Sequence, residues 1–429
     1  MRLRVLFFLG LVVAGWWLVG RPGAGDLVQW AASAGSKSPG QAQVGASPGT
    51  RPVVVLSPGA GWLSTETQSI DAGATNAGLV EKDVTLDVAQ QAQAMLNRCP
   101  VVALLTRQGD DKVHTLANVQ DLVNADHPAL AVALHSGAAD APSGTQAWYT
   151  VGGQDDQGSQ RLAASLAAGV AARLSLANLG VQPETSSPSG GLYIHPWQAP
   201  AALVDLGSLG ADSLAFRTKR REFARAVVQG VLGYLGLPAE CADGTQIADA
   251  AALVAVTFPE QAASQNLTLQ NDGLGTWDPA HYSLVAVGDT YGAAASYPLP
   301  AALAPGETAT WALPARAPKA AGVYEQRWQL SRDGTPVGDP VVVLIVVVPP
   351  QAQALKDKLD QQVAEWQAAG AAKMDDLIRQ MQQELAAWAQ QETEKQAAKC
   401  VGVNGGLMIG VVIVAGGRRR GREKSLSTD

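Results

Sequence analysis

The sequence predicts a chain of unlike modules: an α/β domain with a mostly parallel sheet and helices on both faces, an all-β sandwich, a helical stalk and a C-terminal membrane segment. Three observations predict it. From Pro52 to about Gly236, short apolar runs suited to buried strands alternate with longer stretches whose apolar residues recur at helical spacing. From about Ala251 to Val348 the segments are short, β-rich and punctuated by turn formers such as "NDG", "WDP", "PGE" and "SRDG". From residue 351 Gln, Ala, Glu and Lys dominate, and an apolar, glycine-rich run closed by three arginines follows.

Residues 1–24 carry Arg2 and Arg4 ahead of an apolar run from Val5 to Val19, the layout of an export signal. The small-residue stretch Ala32–Ala34 offers a distant cleavage site, so the segment is either a signal peptide or a retained signal anchor. Residues 25–50, rich in Gly, Ala, Ser and Gln, read as a linker.

The α/β domain is expected over 51–237. Its strands are "VVVLSP", "VVALLTR", "ALAVALHS", "TQAWYT", "GLYIH" and "AALVDLG"; its helices are "EKDVTLDVAQQAQAMLNR", "TLANVQDLVNAD", "SQRLAASLAAGVAARL" and one long final helix from Ser213 to Gly236. A linker over 238–250 leads to a β-sandwich of immunoglobulin size over 251–348. In the next segment, 349–400, Leu355, Leu359, Val363, Trp366, Met374, Leu377, Met381, Leu385 and Trp388 make a thin apolar stripe, with Gly370 in the middle. A continuous helix of that length spans about 75 Å. It reads as a stalk or weak coiled coil holding the ectodomain off the membrane.

Residues 401–417 form a short apolar run that includes Asn404, and the basic tail 418–429 opens with Arg418–Arg420. Arginine clusters stay cytoplasmic, so the pair reads as a membrane span; both ends then lie on the cytoplasmic side, or the N-terminal one is removed, and everything between is outside. The formal net charge of −7 argues against a nucleic-acid partner, which needs a concentrated basic surface. Three cysteines in an exported chain leave at least one unpaired. Cys99 follows the first helix and Cys241 the last helix of the α/β domain, so a clasp between them is one open arrangement; Cys400 is the odd one. The glycosylation sequon at Asn266 carries no weight.

In an α/β domain, loops leaving the carboxyl ends of the strands converge on one crevice. Glu81 opens the first long helix, His135 ends the third strand and Asp205 ends the last, so topology points all three into that crevice. A histidine and a carboxylate there suit zinc, with a second carboxylate as proton shuttle. Each also has a plain alternative: Glu at a helix start answers the helix dipole, a strand-end His is often hydrogen-bonded structure, and Asp205 could cap the next turn.

The motifs "VVVLSPGAGW", "EKDVTLDVAQQAQAML", "VVALLTRQGDD", "NADHPALAVALHS" and "APAALVDLGSLGAD" resemble, in order and spacing, the zinc-dependent N-acetylmuramoyl-L-alanine amidases of the amidase-3 type, over about 51–236. The resemblance implies an amidase-type α/β fold acting on the muramyl-L-alanine amide of peptidoglycan. In that family the first strand ends Asp-Pro-Gly-His-Gly, the helix opens with Glu, the third strand ends Ser-Ile-His and the last gives Val-Glu-Leu-Gly. Two histidines and the helix Glu bind zinc, and the last Glu is the catalytic carboxylate. By that likeness Glu81 and His135 stand at two ligand positions, whereas Ala60 replaces the first histidine, Ser57 the preceding Asp, and Asp205 the catalytic Glu. The Asn that commonly follows the third-strand histidine is absent, with Gly137 nearby. His195, in "LYIHPW", is the candidate substitute ligand.

The stretch from Leu269 to Val343 resembles the four-tryptophan immunoglobulin-like domain (Next-to-BRCA-one central type), through Trp277, Tyr282, Pro305, Gly306, Tyr324, Trp328 and Gly334. Those aromatics read first as core. Together the likenesses imply a membrane-tethered, extracytoplasmic protein of the bacterial cell envelope whose amidase-like domain is degenerate and binds peptidoglycan or an envelope partner without hydrolysis and without full zinc occupancy. Two rivals remain: an active zinc amidase with Asp205 as catalytic carboxylate, and a structural surface spacer.

Overall fold

The computed structural model describes residues 51–110, 115–125, 127–186, 194–195, 197–249, 253–368 and 374–403. The expected signal (1–24), the linker (25–50), the membrane segment beyond Val403 and the basic tail lie outside the described residues. Among the described residues no helix is long and apolar enough to cross a membrane.

The α/β domain contains β1 (Val53–Pro58), β2 (Thr75–Asn76), β3 (Leu79–Val80), α1 (Glu81–Leu96), β4 (Val102–Leu105), α2 (Leu116–Ala125), β5 (Leu130–Gly137), β6 (Thr145–Tyr149), α3 (Asp156–Leu174), β7 (Asn178–Pro183), β8 (Ala201–Ser208), α4 (Ser213–Thr218) and α5 (Arg220–Leu235). β2 and β3 form a small hairpin. The main sheet runs β4-β1-β5-β8-β6-β7. Its first four strands are parallel, β6 runs antiparallel to β8, and β7 follows β6. Alternation along the strands builds two layers. Val54, Leu56, Val132, Leu134 and Val204 pack under α1, α3 and α5. Val55, Ala131, Ala133 and Leu203 pack with Val119 and Val123 of α2, beside Trp62, Ile194 and Trp197. Helices thus cover both faces, as expected of a largely parallel sheet.

Two expectations for this domain are corrected. Of "GLYIH", expected as the fifth strand, Ile194 and His195 lie in a turn and residues 191–193 fall outside the described residues, while the edge position of the sheet belongs to β7. β7 escapes an apolar-run criterion because an edge strand needs no apolar face, and Asn178 and Leu179 are exposed. The long last helix is two: Lys219, at φ −129°, separates α4 from α5.

The sandwich contains β9 (Thr245–Asp249), β10 (Val254–Thr257), β11 (Gln265–Asn271), β12 (Tyr282–Ala286), β13 (Ser296–Pro298), β14 (Thr308–Leu313), β15 (Gly322–Arg332) and β16 (Thr335–Val347). A five-stranded sheet, β10-β16-β15-β12-β13, faces a three-stranded one, β14-β11-β9. The expected linker therefore ends early, because residues 245–249 pair with β11. Trp277, Tyr282 and Trp328 are buried between the sheets, the core role read from the sequence, and Trp311 joins them; Tyr324 departs from that expectation, half-buried and edge-on to Tyr291.

The expected stalk is the largest correction. α6 (Gln353–Ala368) and α7 (Met374–Val403) are helical, but they fold back as a pair and pack on the outer face of the five-stranded sheet. Leu355, Leu359, Val363, Leu377 and Met381 are buried with Val346 and Val348, beside Val254, Val256 and Val323. Lys358 Nζ lies 2.6 Å from Glu384 and ties the helices together. Burying each large aliphatic side chain is worth roughly 1.5–3 kcal/mol over leaving it in water. An isolated extended helix with so thin a stripe has no such gain, so docking wins.

The two domains meet through a buried charged node on the helical face. Asp272, 2% exposed, accepts from Arg98 Nη2 at 2.8 Å and pairs with Arg221, while Arg225 Nη2 donates to Asn271 O at 3.0 Å. Beside it Cys99 and Cys241 form a disulfide, resolving the open pairing. The node sits past the last turn of α1, remote from Glu81 at its start.

Candidate functional site

The turn after β1 is shaped by what surrounds it. A Cβ at Gly59 would lie 2.9 Å from His135 Nε2 and 2.6 Å from Leu134 O, so glycine is required where the chain presses on β5. Ala60 is buried, with φ 57°, in the left-handed region where a non-glycine residue is uncommon. Its methyl group and the Glu81 carboxylate converge on Gly73, where an added Cβ would lie 2.9 Å from Ala60 Cβ and 2.5 Å from Glu81 Oε2. Position 60 therefore stands beside Glu81. The buried Arg107 guanidinium braces this turn, donating to Gly59 O at 3.1 Å and to Lys82 O at 2.7 Å. Sequence reasoning gave Arg107 no role; its signal was a cation ending a buried apolar run.

Glu81, His135 and Asp205 do converge. His135 and Asp205 are register partners on the adjacent parallel strands β5 and β8, so their side chains leave the same face of the sheet. Glu81 Oε1 is 3.1 Å from His135 Nδ1 and accepts from Ser136 N at 3.2 Å, while Oε2 accepts from Ala74 N at 2.9 Å. Burial pushes the Glu81 carboxyl up, but the His135 contact and the two backbone donors overcome it and hold the group below the ordinary carboxylate range. Burial likewise pushes His135 down, and the carboxylate of Glu81, helped by Asp205 and Asp71, raises it above the usual histidine range. Glu81 and His135 thus stabilise each other as an ion pair. Asp205 has no such partner: burial raises it to about 6, partly offset by His135 and reinforced by Glu81.

That shift carries a stability cost. A carboxyl raised in the folded state favours folding fully below its unfolded pKa, and the contribution is lost as pH climbs through the folded value. For a shift from 3.8 to about 6 the loss by pH 7 is up to about 3 kcal/mol. Asp205→Asn is therefore expected to be more stable than the parent at pH 7 and equal to it below about pH 4. Denaturant titrations at the two pH values check this, and an Asn variant weaker at pH 7 would contradict it.

His195 is not a substitute ligand in this fold. Its Nδ1 lies 2.7 Å from Glu184 Oε1, just beyond β7. Tyr149 is in register with Pro183 at the end of β7 and with Ala202 at the start of β8. The Glu184–His195 pair therefore occupies the edge where β8 begins, opposite the edge bearing His135 and Asp205. Ser57, where the motif has Asp, is buried against Thr106 Oγ1 at 3.0 Å.

A catalytic zinc centre needs three protein ligands and an open fourth position. The spacing of Glu81 Oε1 and His135 Nδ1 is compatible with two ligands on one ion, but position 60 offers a methyl group in place of the third. Among the described residues no group of three His, Cys, Asp or Glu is arranged to hold a metal ion. The donor set does not fit zinc.

Comparison with known proteins matches the α/β domain and the sandwich separately. Residues 54–233 match the family model described as N-acetylmuramoyl-L-alanine amidase. Residues 254–347 match the one described as the Ig-like domain from next to BRCA1 gene. The chain carries both domains where the motifs had indicated them. It is similar to N-acetylmuramoyl-L-alanine amidase LytC of Bacillus subtilis, 28% identical over 174 residues, 38% of this chain and 33% of that protein. It is also similar to the uncharacterized protein YqiI of the same organism, 29% identical over 171 residues, 38% of this chain and 79% of that protein. The chain thus spans about a third of the length of LytC. A solved N-acetylmuramoyl-L-alanine amidase from Clostridium difficile 630 superposes with a TM-score of 0.38 at 21% identity, covering 44% of this chain and 98% of that one.

Proposed function

We propose that this is an extracytoplasmic protein of the bacterial cell envelope whose amidase-type domain binds peptidoglycan without cleaving it. The observation that carries the reading is Ala60: the first metal-ligand position of the motif holds a methyl group, while Glu81 and His135 keep their places and satisfy each other. With the first ligand position lost, the crevice lacks the metal-activated water on which this chemistry depends. A fold can keep a binding role after its chemistry is lost, so binding without cleavage is the reading this replacement favours. The Cys99–Cys241 disulfide supports an oxidising compartment. The apolar segment 401–417 before Arg418–Arg420 supports a tether with its tail inside the cell.

The full-length protein is tested by metal analysis and by co-sedimentation with purified sacculi, with and without chelator. Expected are zinc well below one per chain, sedimentation that ignores the chelator, and no release of peptide. Close to one tightly held zinc per chain, lost on His135→Ala, would establish the active-amidase reading instead. Failure to sediment would leave the spacer.

A further inference from the structure

We infer that the open edge of β14 pairs antiparallel with the β14 of a second copy of this chain, joining two three-stranded sheets into one sheet across a two-fold axis. The edge is regular. β14 (Thr308–Leu313) pairs with β11 over its whole length, and its residues alternate exposed and buried, with Ala309, Trp311 and Leu313 in the core. The bonds from Asn271 N to Glu307 O and from Ala263 N to Ala315 O, 2.8 and 2.9 Å long, flank this ladder. Hydrogen-bonded residues alternate along an antiparallel pair, so the odd-numbered residues bond to β11, while Thr308, Thr310 and Ala312 turn their N–H and C=O groups outward.

The other long edges are blunted. On β4, Ala103 N donates to Asn97 Oδ1 at 3.0 Å and Ala103 O accepts from Gln93 Nε2 at 2.9 Å, so side chains at the end of α1 cap the strand. β7 turns at Gly180, φ 96°, and ends on Pro183, while β9 slips register against β11 and ends on Asp249. β13 and β10 are short, at three and four residues. Charges, prolines, bulges and short length are how exposed edges avoid pairing, and Thr308–Leu313 carries no charge, proline or bulge.

The residues of the edge select a second copy as the occupant. Antiparallel self-pairing centred on Thr310 sets Thr310 opposite Thr310 and Thr308 opposite Ala312, and each of these is a hydrogen-bonded pair. Thr310 Oγ1 lies 2.9 Å from Thr268 Oγ1 on the outer face, so the pairing continues that hydroxyl row across the axis. Asn266, Thr268 and Gln270 complete an outer face without a charge, in a chain whose net charge of −7 makes copies repel elsewhere. Identical residues meet at a two-fold axis, so a charge-free strand is what isologous pairing requires.

The test uses the full-length chain carrying Cys400→Ser, so that introduced thiols alone report, under mild oxidation. One strand pair is a small interface, below the roughly 1,200 Å² of stable complexes, and trapping is therefore the readout. Opposed residues of a hydrogen-bonded pair have Cα atoms about 5.5 Å apart, within disulfide reach, whereas Thr308 and its own copy are offset by about 14 Å along the strand. Thr310→Cys is expected to form a disulfide-linked dimer about tenfold or more faster than Thr308→Cys or Ala312→Cys, and the variant combining those two to recover the fast rate. Adding Thr310→Lys to the combined variant is expected to slow it about fivefold, because two ammonium groups then face each other. The three positions are exposed, and circular dichroism confirms the fold of each variant. Equal rates for Thr310→Cys and Thr308→Cys, or a combined variant indifferent to Thr310→Lys, overturn the proposal. Cross-linking of Thr310→Cys to a different chain overturns it as well and gives the edge to a foreign strand.

Discussion

Asp272→Ala is expected to replace one cooperative unfolding transition with two and to cost about 3 kcal/mol. The carboxylate is 2% exposed and is the common acceptor for Arg98 at the end of α1 and Arg221 on α5, with Arg225 Nη2 3.7 Å away. Removing one partner of a buried pair typically costs about 3–5 kcal/mol, because the remaining charge stays desolvated without compensation. The lower end applies here, since Arg98 and Arg221 are 29% and 34% exposed and Arg225 keeps Glu222. An exposed pair such as Arg327–Glu325 is worth well under that, about 0–1 kcal/mol. The node matters because it couples domains: every charged partner of Asp272, namely Arg98, Arg221 and Arg225, lies in the α/β domain, while Asp272 follows β11 of the sandwich. The disulfide, joining residues 142 apart, remains in the variant, so lost cooperativity would report the node alone. Scanning calorimetry of parent and variant decides it. A single transition with an unchanged midpoint would show that the sandwich is held by other means.

Glu81, His135 and Asp205 were legible because the order of elements alone sends their ends to one sheet edge. The same logic, applied fully, would have placed His195 at the wrong edge: it precedes Ala201, the first residue of β8, by a few positions, and a strand's start lies opposite its site-bearing end. The α6–α7 packing also had a signal. "VVVLIVVV", residues 341–348, is an unbroken apolar run, and a strand buried on one face alternates; a continuous run requires cover on both sides. The helices that follow supply that cover. β7 had no comparable signal, since an edge strand of mixed polarity is defined only by its tertiary neighbours, and the cation that ends the apolar run at Arg107 marked a position without saying what it would brace.

On the proposed reading, the double substitution Ala60→His with Asp205→Glu is expected to give the amidase-type domain zinc-dependent amidase activity, and neither single change is expected to suffice. Ala60 already holds φ 57°, a backbone conformation in which histidine is among the enriched side chains, so the new residue inherits its geometry without rebuilding the turn. Its Cβ starts beside Glu81, and Glu81 with His135 then completes three ligands around an open fourth position. Asp205 leaves β8 in register with His135 but one methylene short of the motif's carboxylate, and errors near 1 Å in placing a catalytic group cost about a hundredfold. Metal without a placed base, or a base without metal-activated water, leaves most of the barrier standing. Measured on purified protein, zinc should approach one per chain in Ala60→His and in the double variant, and remain low in Asp205→Glu. Release of peptide from sacculi should appear only in the double variant. Zinc uptake without turnover would still support the inherited ligand geometry and would limit the error to the carboxylate. A double variant that keeps its circular dichroism spectrum yet binds no zinc would show that positions 60, 81 and 135 do not converge as the turn after β1 implies.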